Sequence, residues 1–205
     1  MHPNTQFHWD DRAAMRDFVA SIGFATLSAT TPDGPRAAHL PVVLMGDSVH
    51  VHMARGNALA RHLHGLDALL VVNGPHAYIS PDWYGLGPDE VPTWNYVAVE
   101  MEGRAQRLDR PALLAQIDAL TTAQEQALAP KAPWTRTMAD PARIDRMVDA
   151  VIGFSIPVTA WRGTTKLGQN KPQSARHAVA DALDAQGRRA MAHLMRQMPD
   201  GGRPA

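Results

Sequence analysis

The chain has 205 residues, with 20 Lys+Arg, 20 Asp+Glu, no formal net charge, a pI near 7.2 and no cysteine. That length suits one sizeable domain or a domain with a helical appendage, and the neutral balance argues against bulk attraction to nucleic acid or membrane. The absence of cysteine excludes disulfides, thiolate nucleophiles and Cys-based metal sites. The N-terminus "MHPNTQFHWDD" lacks a basic region followed by an apolar run, and no apolar run approaches 18 residues, so a cytoplasmic protein is expected.

"DDRAAMRDFVASIG" predicts a helix capped by Asp10 or Asp11, with Ala14, Phe18 and Ile22 on one face and Gly23 as its stop. "FATLSAT" (24–30) predicts a strand, "TPDGP" (31–35) a turn, and "RAAHLPVVLM" (36–45) a second strand in which Pro41 marks an edge, a bulge or a missing ladder bond. "GD" at 46–47 predicts a tight hairpin into "SVHVHMA" (48–54), where Val49, Val51 and Met53 alternate with Ser48, His50 and His52. "NALARHLHG" predicts a short helix capped by Asn57, and "ALLVVN" (68–73) a strand buried on both sides. An aromatic loop follows. "YVAVEMEGRAQRLD" (96–109) predicts a long strand bending at Gly103, and Asp109–Pro111 and Asp140–Pro141 announce helices over 110–127 and from about 140. "VIGFSIPVTAW" (151–161) is the last expected strand, "RGTTKLGQNKP" a loop, and Ser174 the expected cap of a helix pair divided near Gly187. The fold class expected is mainly β with flanking helices (α+β): hairpins favour antiparallel pairing, and a small β-barrel removes exposed strand edges.

Few residues carry an obvious chemistry. There is no G-x-S-x-G elbow, P-loop or G-x-G-x-x-G, so covalent hydrolysis is disfavoured. Arg55 and Arg61 flank the expected helix start at Asn57, which reads either as a phosphate grip or as a capped surface helix. His50 and His52 share a strand face, but no third ligand stands near in sequence, so no metal is expected. Five of the twelve aromatics fall at Tyr78, Trp83, Tyr84, Trp94 and Tyr96. This window reads either as core or subunit packing or as a wall for a flat ring, with Asn95 supplying polar contacts. The tail over 171–205 carries a net +3 and admits a helix-turn-helix reading, though its apolar face suits packing equally.

Taken together and in order, "AAHLP" (37–41), "NGPHAYISPDWY" (73–84), "VPTWNY" (91–96) and "KLGQNK" (166–171) resemble the PaiB-type FMN-binding negative transcriptional regulators. The likeness runs from "FVASIGFATL" to "AMAHLM". It implies an antiparallel split β-barrel of the FMN-binding type over residues 1–173, a C-terminal helical segment over 174–205 packing on the barrel or a partner, and a homodimer with flavin in a cleft between subunits. Carried onto this chain, the resemblance puts His39, Leu40 and Pro41 near the flavin ring, Arg55, Asn57 and Arg61 at its phosphate, and Trp94, Asn95, Lys166 and Gln169 in position to close the cleft. Gly168 departs from the family's usual Ser. The function implied is transcriptional repression by a flavin-loaded homodimer, with DNA contact direct or indirect. The alternative is an FMN-dependent oxidoreductase or flavin reductase, distinguished by bleaching of the flavin band with reduced nicotinamide. Haem handling is a third reading, open because related barrels host haem and the chain has ten histidines.

Overall fold

The computed structural model describes residues 2–198. The expected class is observed: the described residues form nine strands and five α-helices, with antiparallel pairing in every register given. The chain forms two compact units. Unit 1 comprises residues 1–17, 72–100 and 162–205, and unit 2 residues 18–71 and 101–161. Residues 199–205, which include Asp200 and Arg203 of the basic tail, lie outside the described residues. No helix among the described residues is long and apolar enough to cross a membrane.

In chain order the elements are β1 (His8–Trp9), α1 (Arg12–Ile22), β2 (Phe24–Thr31), β3 (Gly34–Met45), β4 (Ser48–Ala54) and β5 (Asp67–Ile79). After them come β6 (Thr93–Arg104), β7 (Gln106–Arg107), α2 (Arg110–Gln126), α3 (Pro141–Asp149), β8 (Val151–Pro157), β9 (Ala160–Lys166), α4 (Gln173–Ala185) and α5 (Arg189–Gln197). Strands β5, β6 and β9 contribute residues to both units.

Unit 2 carries the strand order β5-β2-β3-β4-β8-β7. Thr31 pairs with Gly34, leaving Pro32 and Asp33 as a two-residue turn. The Thr31 hydroxyl fastens this turn, donating to the Gly34 carbonyl at 2.8 Å and accepting from the Asp33 amide at 3.2 Å. Pro41 stands where β3 changes partner: Gly34–Pro41 face β2, and Val42–Met45 face β4. A residue without an N–H is tolerated at such a handover, and the Val42 amide bonds the Gly23 carbonyl at 3.0 Å. The alternation expected in β4 is present, with Val49, Val51 and Met53 in the core. Gly103 is fixed by close approach, because a Cβ there would lie 2.1 Å from the Pro157 carbonyl oxygen. The strand itself breaks two residues later, at Ala105.

Unit 1 carries β1-β9-β6-β5, with His8 opposite Thr164 and Trp9 opposite Gly163. A Cβ on Gly163 would sit 2.8 Å from Trp9 and from the Met15 sulfur, so only glycine lets β1 lie this close. α4 and α5 bury Val179, Ala180, Leu183, Met191, Ala192 and Met195.

Several expectations are corrected. In α1 the buried residues are Met15 and Val19, while Ile22 is exposed, so the core stripe is offset from Ala14–Phe18–Ile22. Asp11 is the cap, accepting from the Ala14 amide at 3.0 Å. β5 alternates buried and half-buried positions instead of burying both faces, and it runs on through Gly74 and Pro75 to Ile79. The late strand is two strands, and β9 takes in the first five residues of the expected loop, 162–166. Pro172, not Ser174, precedes α4, and no side chain caps that helix.

Candidate functional site

In unit 2, the period of two along β2 sends Ala25, Leu27, Ala29 and Thr31 into the core and leaves Phe24, Thr26, Ser28 and Thr30 on the other face. Antiparallel register sets His39 and Val71 opposite Thr26, Ala37 and Leu69 opposite Ser28, and Pro41 opposite Phe24. The result is an open sheet face of small, hydroxyl and ring side chains. On it the Thr26 hydroxyl and His39 Nδ1 hydrogen-bond at 3.0 Å, and Ser28 donates to the Leu69 carbonyl at 3.3 Å. A cavity of about 510 Å³ is lined by Ser28, Thr30, Asp67, Leu69, Glu102 and Arg104 among others. Leu40 points the opposite way and is 2% exposed, so its side chain belongs to the core.

The expected helix at Asn57 does not form. Residues 55–66 are a run of turns. Ala60, His62 and Leu66 donate to carbonyls three residues back, and only Leu63 makes a bond four residues back. Gly56 and Gly65 bracket the stretch, and Leu59, Ala60 and Leu63 are buried as one helix face would bury them, so the departure lies in the backbone bonds of a segment too short to hold a helix by itself. The Asn57 carboxamide oxygen accepts from the Leu59 amide at 2.9 Å. Any anion site here is therefore made by side chains, not by a helix dipole. Arg55 Nε donates to the Asp149 carbonyl at the end of α3. Arg55 also lines a second cavity of about 270 Å³ with Arg107, Arg110 and Asp149. Arg61 is exposed and makes no ion pair among the described residues. Its neighbour His62 reaches Asp33 of the β2–β3 turn at 3.3 Å.

The remaining expected residues lie in unit 1. Trp94 is 55% exposed, whereas Asn95 is buried at 1%. The Asn95 amide nitrogen contacts the Met195 sulfur at 3.5 Å, and its oxygen has no hydrogen-bond partner. Lys166 Nζ donates to the Thr93 hydroxyl at 2.5 Å and lies 5.7 Å from the Phe7 ring centroid. Burial lowers its pKa from the ordinary lysine value. Gln169 is engaged in scaffolding: its oxygen accepts from the Leu167 amide at 2.8 Å, and its nitrogen donates to the Thr165 and Gln6 carbonyls at 2.6 and 3.1 Å.

The aromatic window is mostly regular structure. Tyr78 is the penultimate residue of β5, Trp83 and Tyr84 lie in a 3₁₀ turn over Pro81–Tyr84, and Trp94 and Tyr96 lie near the start of β6, after Thr93. Tyr84 is buried with Lys171 5.2 Å from its ring centroid, and Lys171 is paired with Glu90. Among the described residues no group of three or more His, Cys, Asp or Glu could hold a metal. His52 instead bonds Gln116 of α2 at 3.0 Å. Thr26, Ser28 and Arg104 were not singled out from sequence. The alternation in "FATLSATT" carried the signal for the two hydroxyls, and Arg104 gave none.

A family profile described as "Putative FMN-binding domain" matches residues 1–160. Protease synthase and sporulation protein PAI 2 of Bacillus subtilis is 31% identical over 163 residues, covering 77% of each chain. Among solved structures, the FAD and haem binding protein of Mycobacterium smegmatis aligns with a TM-score of 0.60 at 18% identity, over 78% of this chain and 74% of that one. The flavocytochrome Anf3 of Azotobacter vinelandii aligns with a TM-score of 0.60 at 15% identity, over 82% and 73%. At those identities the likeness is one of fold.

Proposed function

The chain belongs to the PaiB-type FMN-binding family, with FMN as its cofactor, and from that premise we propose that it is a flavin-loaded homodimer that restrains transcription in the cytoplasm without itself reading DNA bases. The donor set of unit 2 fits the coenzyme. Arg61 and the outer nitrogens of Arg55 supply cationic forks for a phosphate dianion, and Asn57 commits its side-chain oxygen, not its nitrogen, to its turn. The face carrying Thr26, Ser28, Ala37, His39 and Pro41 offers hydroxyl and imidazole groups with little steric bulk, as a flat ring requires. When bound, FMN supplies electron-accepting chemistry. The protein's own part is to hold the phosphate and to present the Thr26–His39 pair. In unit 1 we assign Asn95 and Gln169 to the scaffold.

The observation that carries indirect regulation is the state of the C-terminal helices. A DNA-reading helix needs free cations on its outer face. In α5, Arg196 is instead held by Asp181 and Asp184 at 2.7 and 2.5 Å, and Met191, Ala192 and Met195 are buried against α4, so the free cations of this segment among the described residues are Arg188 and Arg189 at its start, too few for a DNA-reading face. The relative's name, a protease synthase and sporulation protein, is compatible with a regulatory role. Purified protein titrated with FMN is expected to give a flavin spectrum at one coenzyme per chain and to sediment as a dimer. Gel-shift titration is expected to show no sequence-selective complex. Tight, selective DNA binding would overturn the indirect mode, and a monomer would overturn the dimer.

A further inference from the structure

Unit 1 holds a second arrangement of cations and rings, which has only Trp94 in common with the residues that the family resemblance put around the flavin. A cavity of about 310 Å³ is lined by Gly74, Pro75 and His76 of β5 and by Gly187, Arg188 and Arg189 at the α4–α5 turn. Arg188 and Arg189 are exposed, adjacent in sequence, and make no ion pair among the described residues. Arg196, one element along, is satisfied by two carboxylates, so the turn is left with an uncompensated pair of guanidinium forks. Such forks match the oxygens of a phosphate.

One wall of this cavity leads to an aromatic platform. The His76 ring lies 6.1 Å from Trp94, and Tyr78 meets Trp94 edge-on at 6.2 Å. Strand alternation buries Ala77, Ile79 and Asn95 and turns these rings outward, leaving Trp94 55% and Tyr78 47% exposed. Three neighbouring rings, with Trp94 and Tyr78 each about half exposed, form a contiguous aromatic patch at the surface, and such a patch marks a binding surface. We propose that this groove binds a planar aromatic ring carrying a phosphate, with the ring against Trp94 and the phosphate on Arg188 and Arg189. The cavity's volume lies at the low end for ligand pockets, which suits a mononucleotide better than a dinucleotide.

The test is calorimetric titration of the FMN-loaded protein with AMP, adenosine and inorganic phosphate. AMP is expected to bind at least about ten-fold more tightly than adenosine or phosphate, because only AMP engages both halves of the groove. The double variant Arg188→Gln/Arg189→Gln is expected to weaken AMP by about ten-fold or more, while leaving adenosine binding, flavin content and the thermal midpoint unchanged. Trp94→Ala is expected to weaken AMP and adenosine together. Absence of heat with AMP would overturn the proposal. So would equal affinity for AMP and phosphate, which would make this a bare anion site, or release of FMN by AMP, which would make the two ligands rivals for one site.

Discussion

The turn segment 55–66 of unit 2 and the loop 166–171 of unit 1 are both rich in polar side chains, and both are matched by the family resemblance, yet they use those side chains differently. In the loop, Gln169 makes three hydrogen bonds to backbone, Lys171 is paired with Glu90, and buried Arg176 donates to the carbonyls of Lys171 and Met198. In the turn, Arg61 has no ion pair among the described residues, Arg55 has one nitrogen engaged, and Asn57 uses only its oxygen. A polar group whose bonds are already made inside the protein has little left for a ligand, and removing it unsettles the scaffold. A polar group held in place but unsatisfied can bind, and removing it costs affinity.

Gln169→Ala separates the two cases most sharply. It strips a partner from the buried Leu167 amide and from the Thr165 and Gln6 carbonyls. The expected loss is about 3 kcal/mol of unfolding free energy, from one unsatisfied donor and two weakened acceptors. Urea titration of the apo protein reads it directly, and a change under about 0.5 kcal/mol would return Gln169 to the ligand set. Arg61→Ala is the mirror experiment. FMN affinity is expected to fall about ten-fold or more, as for loss of a charge-assisted phosphate contact, while the urea midpoint of the apo protein holds. An unchanged flavin titration would remove the turn from the phosphate site.

How much of this was legible in the sequence depended on the length scale of the signal. Hairpins at 32–33 and 46–47, the caps at Asp109 and Asp140, and the alternation of β4 are set by neighbours in the chain, and each stands as expected. The strand extensions were not legible. β5 continues through Gly74–Pro75 and β9 through "RGTTK", because sheet partners far along the chain override the turn chemistry of those residues. At 57–65 the burial expected of Leu59 and Leu63 is observed, but on turns in place of a helix, in a segment too short to hold one by itself. For the site, the spacing of Arg55, Asn57 and Arg61 was read on a helix start that the chain replaces with turns. The role of Gln169 was beyond reach, since Gln6 lies 163 residues away.

Gly168 sharpens the comparison on a smaller scale. It adopts φ +79°, and a Cβ there would meet Arg176 and Met195 at 3.6 Å and the Asn95 amide nitrogen at 3.8 Å, all ordinary contacts. Gly168→Ala is therefore expected to cost about 1 kcal/mol from the left-handed backbone alone. Gly168→Ser suffers the same strain but brings a hydroxyl beside Asn95, whose buried oxygen has no hydrogen-bond partner. The serine variant should recover about 0.5–1 kcal/mol of the alanine loss. Equal melting temperatures for the two variants would show that the hydroxyl does not reach Asn95.

The smallest expected effect concerns His50, which lies in neither segment and tests whether unsatisfied polar groups always mean binding. Burial lowers its pKa below the ordinary histidine value, and its Nδ1 has no hydrogen-bond partner. It stands in β4 opposite Val43 and Ser155, and its neighbour on the same strand face, His52, faces Gln116 of α2. Because the folded-state pKa is depressed, the unfolded chain takes up a proton first as pH falls. The stability tied to neutral His50 is thus complete above about pH 6.5 and declines as pH drops from there through the lower folded value. The urea midpoint should fall between pH 7 and 5, and His50→Gln should flatten that part of the profile while leaving FMN affinity at pH 7 unchanged. A profile of identical slope in the variant would locate the acid sensitivity elsewhere, and a loss of flavin would place His50 among the groups that bind instead of those that are simply buried.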